Sequence, residues 1–306
     1  MLTEFHKTVD KALSDTPVDL EIVYINDGST DNTLDIINGL RSNDRRITLI
    51  DLSRNFGKEI ALSAGLHKAA GDAVVIIDAD LQDPPELIPE LIKEWQNGYD
   101  VVYAKRTLRT GESLLKKTTS HFFHRLIQHV GKFNIPQDTG DFRILSRRAV
   151  NALNTFKEHH RFMKGLFAWI GFKQKAVLYE RDSRRAGQSK WNYWRLWNFA
   201  LEGITSFTIA PLKISTYIGT ITALSAFGYG IYMVIETLLY GNEVPGYPSL
   251  IVIILILGGI QLIAIGVLGE YLGRIFNETK QRPLYFINEY LPSDSAADKQ
   301  ADNKNP

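Results

Sequence analysis

Two long uncharged apolar runs in the second half of the sequence restrict what this chain can fold into more than any other feature. The first run spans 22 residues between Lys213 and Glu236, and the second spans 26 residues between Glu243 and Glu270. Because a bilayer core about 30 Å thick needs roughly 20 apolar residues in a helix, each run is long enough to cross a membrane. We therefore predict a hairpin of two transmembrane helices within 213–276, at about 214–236 and 248–270.

The positions of Lys and Arg predict how this hairpin is oriented. Basic residues flank the pair of runs on both outer sides: Lys190, Arg195 and Lys213 before it, and Arg274, Lys280 and Arg282 after it. The connection between the runs has neither Lys nor Arg, and cytoplasmic flanks are the ones enriched in these residues. We expect both termini on the cytoplasmic side, with the aromatic and basic segment 191–212 lying in the membrane interface.

The sequence before residue 190 alternates between short apolar runs and amphipathic helical patterns. The apolar runs lie at 20–26, 46–53, 72–78 and 100–106. Strands that alternate with helices predict an α/β domain over 1–190 with a mainly parallel sheet. The tail, 277–306, becomes polar and rich in small residues toward its end, so we expect disorder from about residue 293.

Carboxylates follow two of the predicted strands, at the edge of the sheet where such folds bind ligands. As residues i and i+2 of an extended segment, Asp78 and Asp80 face the same side. Such a pair suits Mg²⁺ or Mn²⁺ shared with substrate phosphates, and a polar turn is the alternative. Asp27 lies in a turn that either binds a base or ribose or only caps a helix. Asp83, directly before a proline, is expected to cap the next helix.

Two later stretches combine charges in patterns typical of phosphate chemistry. In "DTGDFRILSRR", Asp138 and Asp141 precede a group of arginines, which indicates a carboxylate at a reacting centre with cations nearby, or else a solvated turn. The basic loop that contains Arg181, Arg184 and Lys190 lies just before the first apolar run. It suits a phosphate at the level of the lipid headgroups, or general attraction to anionic lipid.

The composition excludes several classes of function. The chain has no cysteine, so disulfides, thiolate metal sites and a cysteine nucleophile are excluded. With 35 Lys and Arg against 34 Asp and Glu, there is no overall charge signal for nucleic-acid binding.

Taken together, these motifs resemble the polyprenyl-phosphate branch of the family-2 glycosyltransferases, which includes dolichyl-phosphate mannose synthases and bactoprenol glucosyltransferases. The resemblance rests on these stretches in this order: "NDGSTDNT", "SRNFGKEIALSAGL", "DADLQDPPE", "TGDFRILSRR", "RRAGQSKW" and a hairpin ending "GVLGEYLGRIFNETKQRP". It implies a Rossmann-like nucleotide-sugar domain that transfers glucose, with inversion, from UDP-glucose to undecaprenyl phosphate. The expected place is the cytoplasmic face of the bacterial inner membrane, and the product would supply O-antigen or other envelope glycans.

The resemblance also implies roles for individual residues. The donor would be bound by Asp27, Asp78, Gln82 and Arg143; the metal, Mg²⁺ or Mn²⁺, by Asp78 and Asp80; and the acceptor phosphate by Arg181, Arg184 and Lys190. The active-site carboxylate would be Asp141 or Asp138. Alternatives are the same reaction with an aminoarabinose derivative, GlcNAc or mannose, or a catalytically impaired homologue that only binds. Glycines in the apolar runs permit close helix packing, so a homo-oligomer is a further expectation.

One element of the family pattern has no counterpart in this sequence. The family's first strand, of a "VVVPVYNE" type, is central in its sheet, whereas this chain opens on a helix pattern, "MLTEFHKTVDKALSDT". We expect a gap in the sheet and weaker donor binding, and a truncated or misassigned gene start as the cause.

Overall fold

The computed structural model describes residues 1–107, 139–159, 161–179, 209–241, 246–294 and 296. The chain divides into two compact units, Met1–Asn192 together with Arg282–Pro306, and Tyr193–Gln281. The segment after the second apolar helix thus belongs to the first unit. The domain predicted from the sequence, 1–190, did not include this segment.

The first unit alternates helices and strands, as the apolar pattern predicts. Within the residues described, its helices are α1 Leu2–Leu13, α2 Thr33–Asn43, α3 Lys58–Lys68, α4 Ile88–Gln96, α5 Arg147–Asn154 and α6 Met163–Trp169, with a 3₁₀ turn at Pro85–Leu87. Its strands are β1 Ile22–Asn26, β2 Ile47–Leu52, β3 Ala73–Ile76, β4 Val101–Arg106, β5 Thr139–Ser146, β6 Gln174–Tyr179 and β7 Ile287–Leu291. The chain therefore does open on a helix, whose buried face is formed by Phe5, Val9 and Leu13 at helical spacing.

The strands form two sheets with mixed pairing. In the first sheet, β2 lies between β1, to which it is parallel, and β7, to which it is antiparallel. In the second, the order is β3-β5-β4-β6, with β5 antiparallel to both its neighbours and β4 parallel to β6. The α/β class is confirmed, but the strand pairing among the described residues is mixed rather than mainly parallel. The reason is that β5 enters between two earlier strands and β7 returns to an edge, and both run against their neighbours.

The sheet is interrupted, as expected from the unmatched first strand of the family. Within the described residues, β1 pairs only with β2, and β3 pairs only with β5. The side-chain core is nevertheless continuous, since Tyr24 and Leu49 of the first sheet share one buried cluster with Val102, Phe142 and Ile144 of the second. Apolar packing, rather than a hydrogen-bonded ladder, joins the two sheets in the residues described.

The tail after the hairpin is ordered further than the sequence indicates. Ser293 is 1% exposed, and its main-chain N–H donates to the hydroxyl of Thr48 at 2.9 Å. Ala296 is fully buried, and its N–H donates to the Ser293 hydroxyl at 3.2 Å. The expectation of disorder from about residue 293 is therefore wrong for the described residues 293, 294 and 296. Polar composition alone does not reveal that a strand just upstream, β7, anchors them.

A buried carboxylate ties β7 to the centre of the first sheet. Asp51, on β2, is 5% exposed and accepts one hydrogen bond from Asn26 Nδ2 at 2.7 Å and another from Asn288 Nδ2 at 2.8 Å. Asn26 in turn accepts a hydrogen bond from the N–H of Ser29 at 3.3 Å. The strand that follows the hairpin is thus connected by three hydrogen bonds to the turn after β1.

The described part of the second unit forms two long helices, α7 Ala210–Tyr240 and α8 Tyr247–Thr279. Both are long and apolar enough to cross a membrane, over Pro211–Tyr240 and Val252–Thr279. The two helices contact each other. The hairpin expected from the sequence is confirmed, and its helices extend several residues beyond the predicted spans. Most of the predicted interfacial segment, residues 191–208, lies outside the described residues.

Removing the amide of Asn288 should destabilise the first unit. In Asn288→Ala, one oxygen of the buried Asp51 carboxylate loses its partner, which typically costs about 1–3 kcal/mol. The thermal unfolding midpoint of the full-length protein in detergent should fall by about 2–4 °C per kcal/mol. Glu289→Ala, at the neighbouring exposed position, is the control and should leave the midpoint nearly unchanged. Equal midpoints for the two variants would contradict the role assigned to Asn288.

Candidate active site

The register of one antiparallel strand pair creates the candidate site. Strand β3 pairs with β5 so that Ile76 lies opposite Arg143. Continuing this register by two residues places Asp78, just past the end of β3, beside Asp141 at the start of β5. Two residues singled out on separate sequence motifs, one for the metal and one as the active-site carboxylate, are brought together by this pairing.

Lys58 joins these two carboxylates. Its Nζ lies 2.6 Å from Asp78 Oδ2 and 2.7 Å from Asp141 Oδ2. Burial by itself would lower the pKa of Lys58, but the hydrogen bonds to Asp141 and Asp78 outweigh burial and raise the pKa. Burial would raise the pKa of Asp141, but Lys58 outweighs it and lowers that pKa, so Asp141 stays ionised. Sequence reasoning missed Lys58, although its place after a glycine at the start of a helix, beyond the end of β2, was a usable signal.

Asp27 fixes the backbone that presents Lys58. Its two carboxylate oxygens accept hydrogen bonds from the N–H groups of Phe56 at 2.7 Å and Gly57 at 2.9 Å, just before α3. The next residue, Gly28, has φ +65°, and a Cβ there would lie 2.4 Å from the N atom of Asn55. The turn after β1 and the loop before α3 are therefore in van der Waals contact. The expected contact of Asp27 with a nucleoside stays a prediction.

Asp80, the second carboxylate of the "DADLQD" motif, has a different partner from Asp78. Asp80 is exposed and accepts a hydrogen bond from the N–H of Gln82 at 3.0 Å. Leu81 between them has φ +57°, a left-handed conformation that non-glycine residues rarely adopt and that is common at functional turns. The motif thus presents Asp78 toward Lys58 and Asp80 toward solvent.

The carboxylates present fit a metal that is shared with a substrate, rather than a closed protein site. No group of three or more His, Cys, Asp or Glu side chains in the described part of the chain could hold a metal ion alone. Asp78 and Asp80 offer carboxylate oxygens at one loop. This number of ligands is usual where Mg²⁺ takes its remaining oxygens from phosphates and water.

Asp83 does not cap a helix, in contrast to the expectation from sequence. It is 4% exposed, and its Oδ1 accepts hydrogen bonds from the Tyr179 hydroxyl at 2.6 Å and from Arg106 Nη2 at 3.4 Å. The following 3₁₀ turn has no side-chain cap. The carboxylate is drawn to the ends of β4 and β6 because a cation and a hydroxyl meet there, and the motif alone does not reveal these partners.

Arg143 is buried beneath Asp141. It is 5% exposed, and its guanidinium donates to the carbonyl oxygens of Asp141 at 3.2 Å and Gly140 at 2.9 Å. The guanidinium also lies 3.9 Å from the ring centroid of Phe167, and burial lowers the pKa of Arg143 to about 10. Arg143 remains charged at neutral pH and holds the start of β5 in place. The phosphate contact expected for it stays a prediction.

Glu59 is a further acidic group that sequence reasoning missed. Its Oε2 accepts the N–H of Met163 at 3.2 Å. Burial and the nearby charge of Asp141 raise the pKa of Glu59 to about 7. The signal for it was weak, since a Glu in the first turn of a helix is usually explained by the helix dipole.

Four of the expected site residues, Asp138, Arg181, Arg184 and Lys190, lie outside the described residues. Asp141 is placed next to Asp78 through Lys58, and the choice between Asp138 and Asp141 as the active-site carboxylate stays a prediction.

A methyl group at Gly28 should disrupt the contact between the two loops. Gly28→Ala places Cβ against main-chain atoms and forces a non-glycine residue into a left-handed conformation, which should cost at least about 1–3 kcal/mol. Gly39→Ala is the matched control, because nothing lies within 4 Å of its Cβ and alanine is favoured inside α2. Thermal unfolding should show a lower midpoint for Gly28→Ala and an equal or higher one for Gly39→Ala. A Gly28→Ala variant as stable as wild type would contradict the observed packing.

Glu59 should make stability depend on pH. Folding raises the pKa of the Glu59 carboxyl from about 4.5 to about 7, because the folded protein favours its protonated form. The resulting contribution to folding stability is complete below pH 4.5 and is lost as the pH rises through 7. Glu59→Gln keeps an acceptor for Met163 and should be more stable than wild type at pH 8, by at most about 3 kcal/mol. The advantage should vanish near pH 4.5, whereas Glu86→Gln, at an exposed position, should show little difference at either pH. The measurement is the unfolding midpoint of each variant across this range, and a constant difference would contradict the assignment.

Comparison with known proteins shows the family to which this chain belongs. Residues 3–153 match the model of Glycosyl transferase family 2, and residues 210–275 match the GtrB C-terminal hairpin. The bactoprenol glucosyl transferase of Shigella phage SfV is 51% identical over 92% of this chain and 92% of its own length. A prophage bactoprenol glucosyl transferase homolog of Escherichia coli K12 is 50% identical, again over 92% of each chain. An uncharacterized glycosyltransferase, sll0501, of Synechocystis is 51% identical over 92% of this chain and 90% of its own. The chain therefore belongs to glycosyltransferase family 2 and is a glycosyltransferase with a C-terminal helical hairpin.

Proposed function

We propose that this enzyme transfers glucose from UDP-glucose to undecaprenyl phosphate, with inversion, at the cytoplasmic face of the bacterial inner membrane. The observation that carries the proposal is a pair of carboxylates, Asp78 and Asp141, held around one ammonium group in a chain with two membrane-length helices. Support for glucose as the transferred sugar and for the lipid acceptor comes from relatives about half identical in sequence that are named bactoprenol glucosyl transferases. The product would be a lipid-linked glucose for the modification of O-antigen or other envelope glycans.

The reaction exchanges one bond at the anomeric carbon. An oxygen of the acceptor phosphate forms a bond to that carbon as its bond to the donor diphosphate breaks, and UDP departs with the bonding electrons. Because the acceptor phosphate is already an anion near neutral pH, no strong base is needed to activate it. Asp141, kept ionised by Lys58, would instead orient the acceptor or stabilise the positive charge that develops on the sugar.

The donor side of the site would be formed by the loop after β3. Asp78 and Asp80 would hold Mg²⁺ or Mn²⁺, and this ion, when bound, would neutralise charge that develops on the leaving diphosphate. Gln82 lies next to this loop, and Asp27 braces the segment from which Lys58 projects. The hairpin would keep the enzyme in the membrane that contains the acceptor. The basic residues on its outer flanks favour the cytoplasmic side for the catalytic unit.

The transfer is tested by incubating membranes that contain the protein with radiolabelled UDP-glucose, undecaprenyl phosphate and Mg²⁺ or Mn²⁺. Labelled lipid should form, and Asp141→Asn and Asp78→Asn should each reduce its rate by at least about 100-fold. Asp35→Asn, which neutralises an exposed carboxylate on α2, is the matched control and should retain the wild-type rate.

Two outcomes would change the proposal. Label from UDP-GlcNAc, GDP-mannose or an aminoarabinose donor, but not from UDP-glucose, would replace the donor and leave the acceptor class standing. Binding of UDP-glucose without labelled lipid under any condition would identify a nucleotide-sugar binding protein and overturn the assignment of catalysis.

A further inference from the structure

The ammonium of Lys58 lies between the carboxylates of Asp78 and Asp141 and relieves the repulsion between them. It is 2.6 Å from Asp78 and 2.7 Å from Asp141. The second oxygen of Asp141 is buried and has no hydrogen-bond partner. Within the described residues, the ion pair with Lys58 is therefore the contact that holds the Asp141 carboxylate.

Lys58 is a cation that can move, unlike its neighbour Arg143. The Lys58 side chain is 52% exposed and has four rotatable methylene groups, whereas Arg143 is 5% exposed and donates to two carbonyl oxygens of β5. If a ligand takes over Asp78, Lys58 can release this carboxylate and keep Asp141. Arg143 cannot make the same exchange without leaving carbonyl groups unsatisfied.

The main chain fixes the position of the Lys58 Cα atom, and this position limits how far the ammonium group can reach. Lys58 is the first residue of α3 and follows Gly57, whose φ of +96° is available to glycine. The N–H of Gly57 is held by Asp27. Because Asp78 and Asp141 contact the Lys58 side chain and Asp27 holds the residue directly before it, Lys58 lies at the junction of the three carboxylate motifs.

We propose that Lys58 is a positioning residue that acts as a resident counter-cation for the Asp78–Asp141 pair and competes with a divalent metal ion for Asp78. Before the donor binds, it holds the two carboxylates at a fixed separation. When a metal ion and the donor diphosphate arrive, Lys58 gives up Asp78 and retains Asp141. This role rests on the proposed function for its place in a catalytic cycle, but the competition itself does not require sugar transfer.

The competition is tested by Mn²⁺ binding to the full-length protein in detergent without nucleotide, measured from the electron paramagnetic resonance signal of free Mn²⁺. Lys58→Met should bind Mn²⁺ about fivefold more tightly than wild type. This change in affinity corresponds to the loss of one half-exposed ion pair, which is worth up to about 1 kcal/mol. Lys58→Arg should bind it as wild type does. A variant that merely damages the fold would bind Mn²⁺ more weakly, so the direction of the change separates the two explanations.

Two controls isolate the site. Lys68→Met removes the same charge from the other end of α3, where the ammonium lies over the ring of Tyr290, and should leave Mn²⁺ affinity unchanged. In an Asp78→Asn background, Lys58→Met should have no effect, because the carboxylate in competition is gone. If Lys58→Met does not fold, Lys58→Gln replaces it in the same series.

The proposal is overturned if Lys58→Met binds Mn²⁺ no more tightly than wild type, or if no binding is detected in either protein. It is also overturned if Lys68→Met gives the same gain, or if the gain persists with Asp78→Asn. A failure of glucosyl transfer in the labelled-lipid assay would leave these binding results unaffected, so the two proposals fail separately.

Discussion

Strand β5 runs antiparallel to β3, and this pairing brings together two carboxylates that lie far apart in the sequence. Two negative charges so close would repel each other strongly in a partly buried site. Lys58 offsets this repulsion, and Arg143 holds the backbone beneath. The position of Lys58 depends in turn on Asp27, which binds the N–H groups at the start of α3. The strand register and one lysine thus account for how Asp78 and Asp141 are brought together.

The strand after the hairpin extends this arrangement to the far end of the chain. Strand β7 joins the edge of β2, and Asn288 shares the Asp51 carboxylate with Asn26, the residue directly before Asp27. Segments on both sides of the hairpin therefore belong to one catalytic unit.

Local features were predictable from the sequence, and long-range pairings were not. Uncharged length predicted the two helices, and apolar runs that end in polar residues located β1 to β4 and Asp78. The partners of Asp83, the place of β5 between β3 and β4, and the return of β7 depend on contacts between distant segments, which periodicity does not encode. Lys58 and Glu59 were overlooked because a charged residue in a first helical turn is ordinarily a surface residue.

The most direct test of this account is a cryo-electron microscopy structure of the protein in a lipid nanodisc with Mn²⁺ and UDP. We expect density for the metal and diphosphate against Asp78 and Asp80, with Lys58 withdrawn from Asp78 but still in contact with Asp141. A nucleotide bound elsewhere, such as the cavity of about 560 Å³ lined by Arg54, Phe56 and Arg282, would contradict it. So would a diphosphate at the site with Lys58 still bridging both carboxylates.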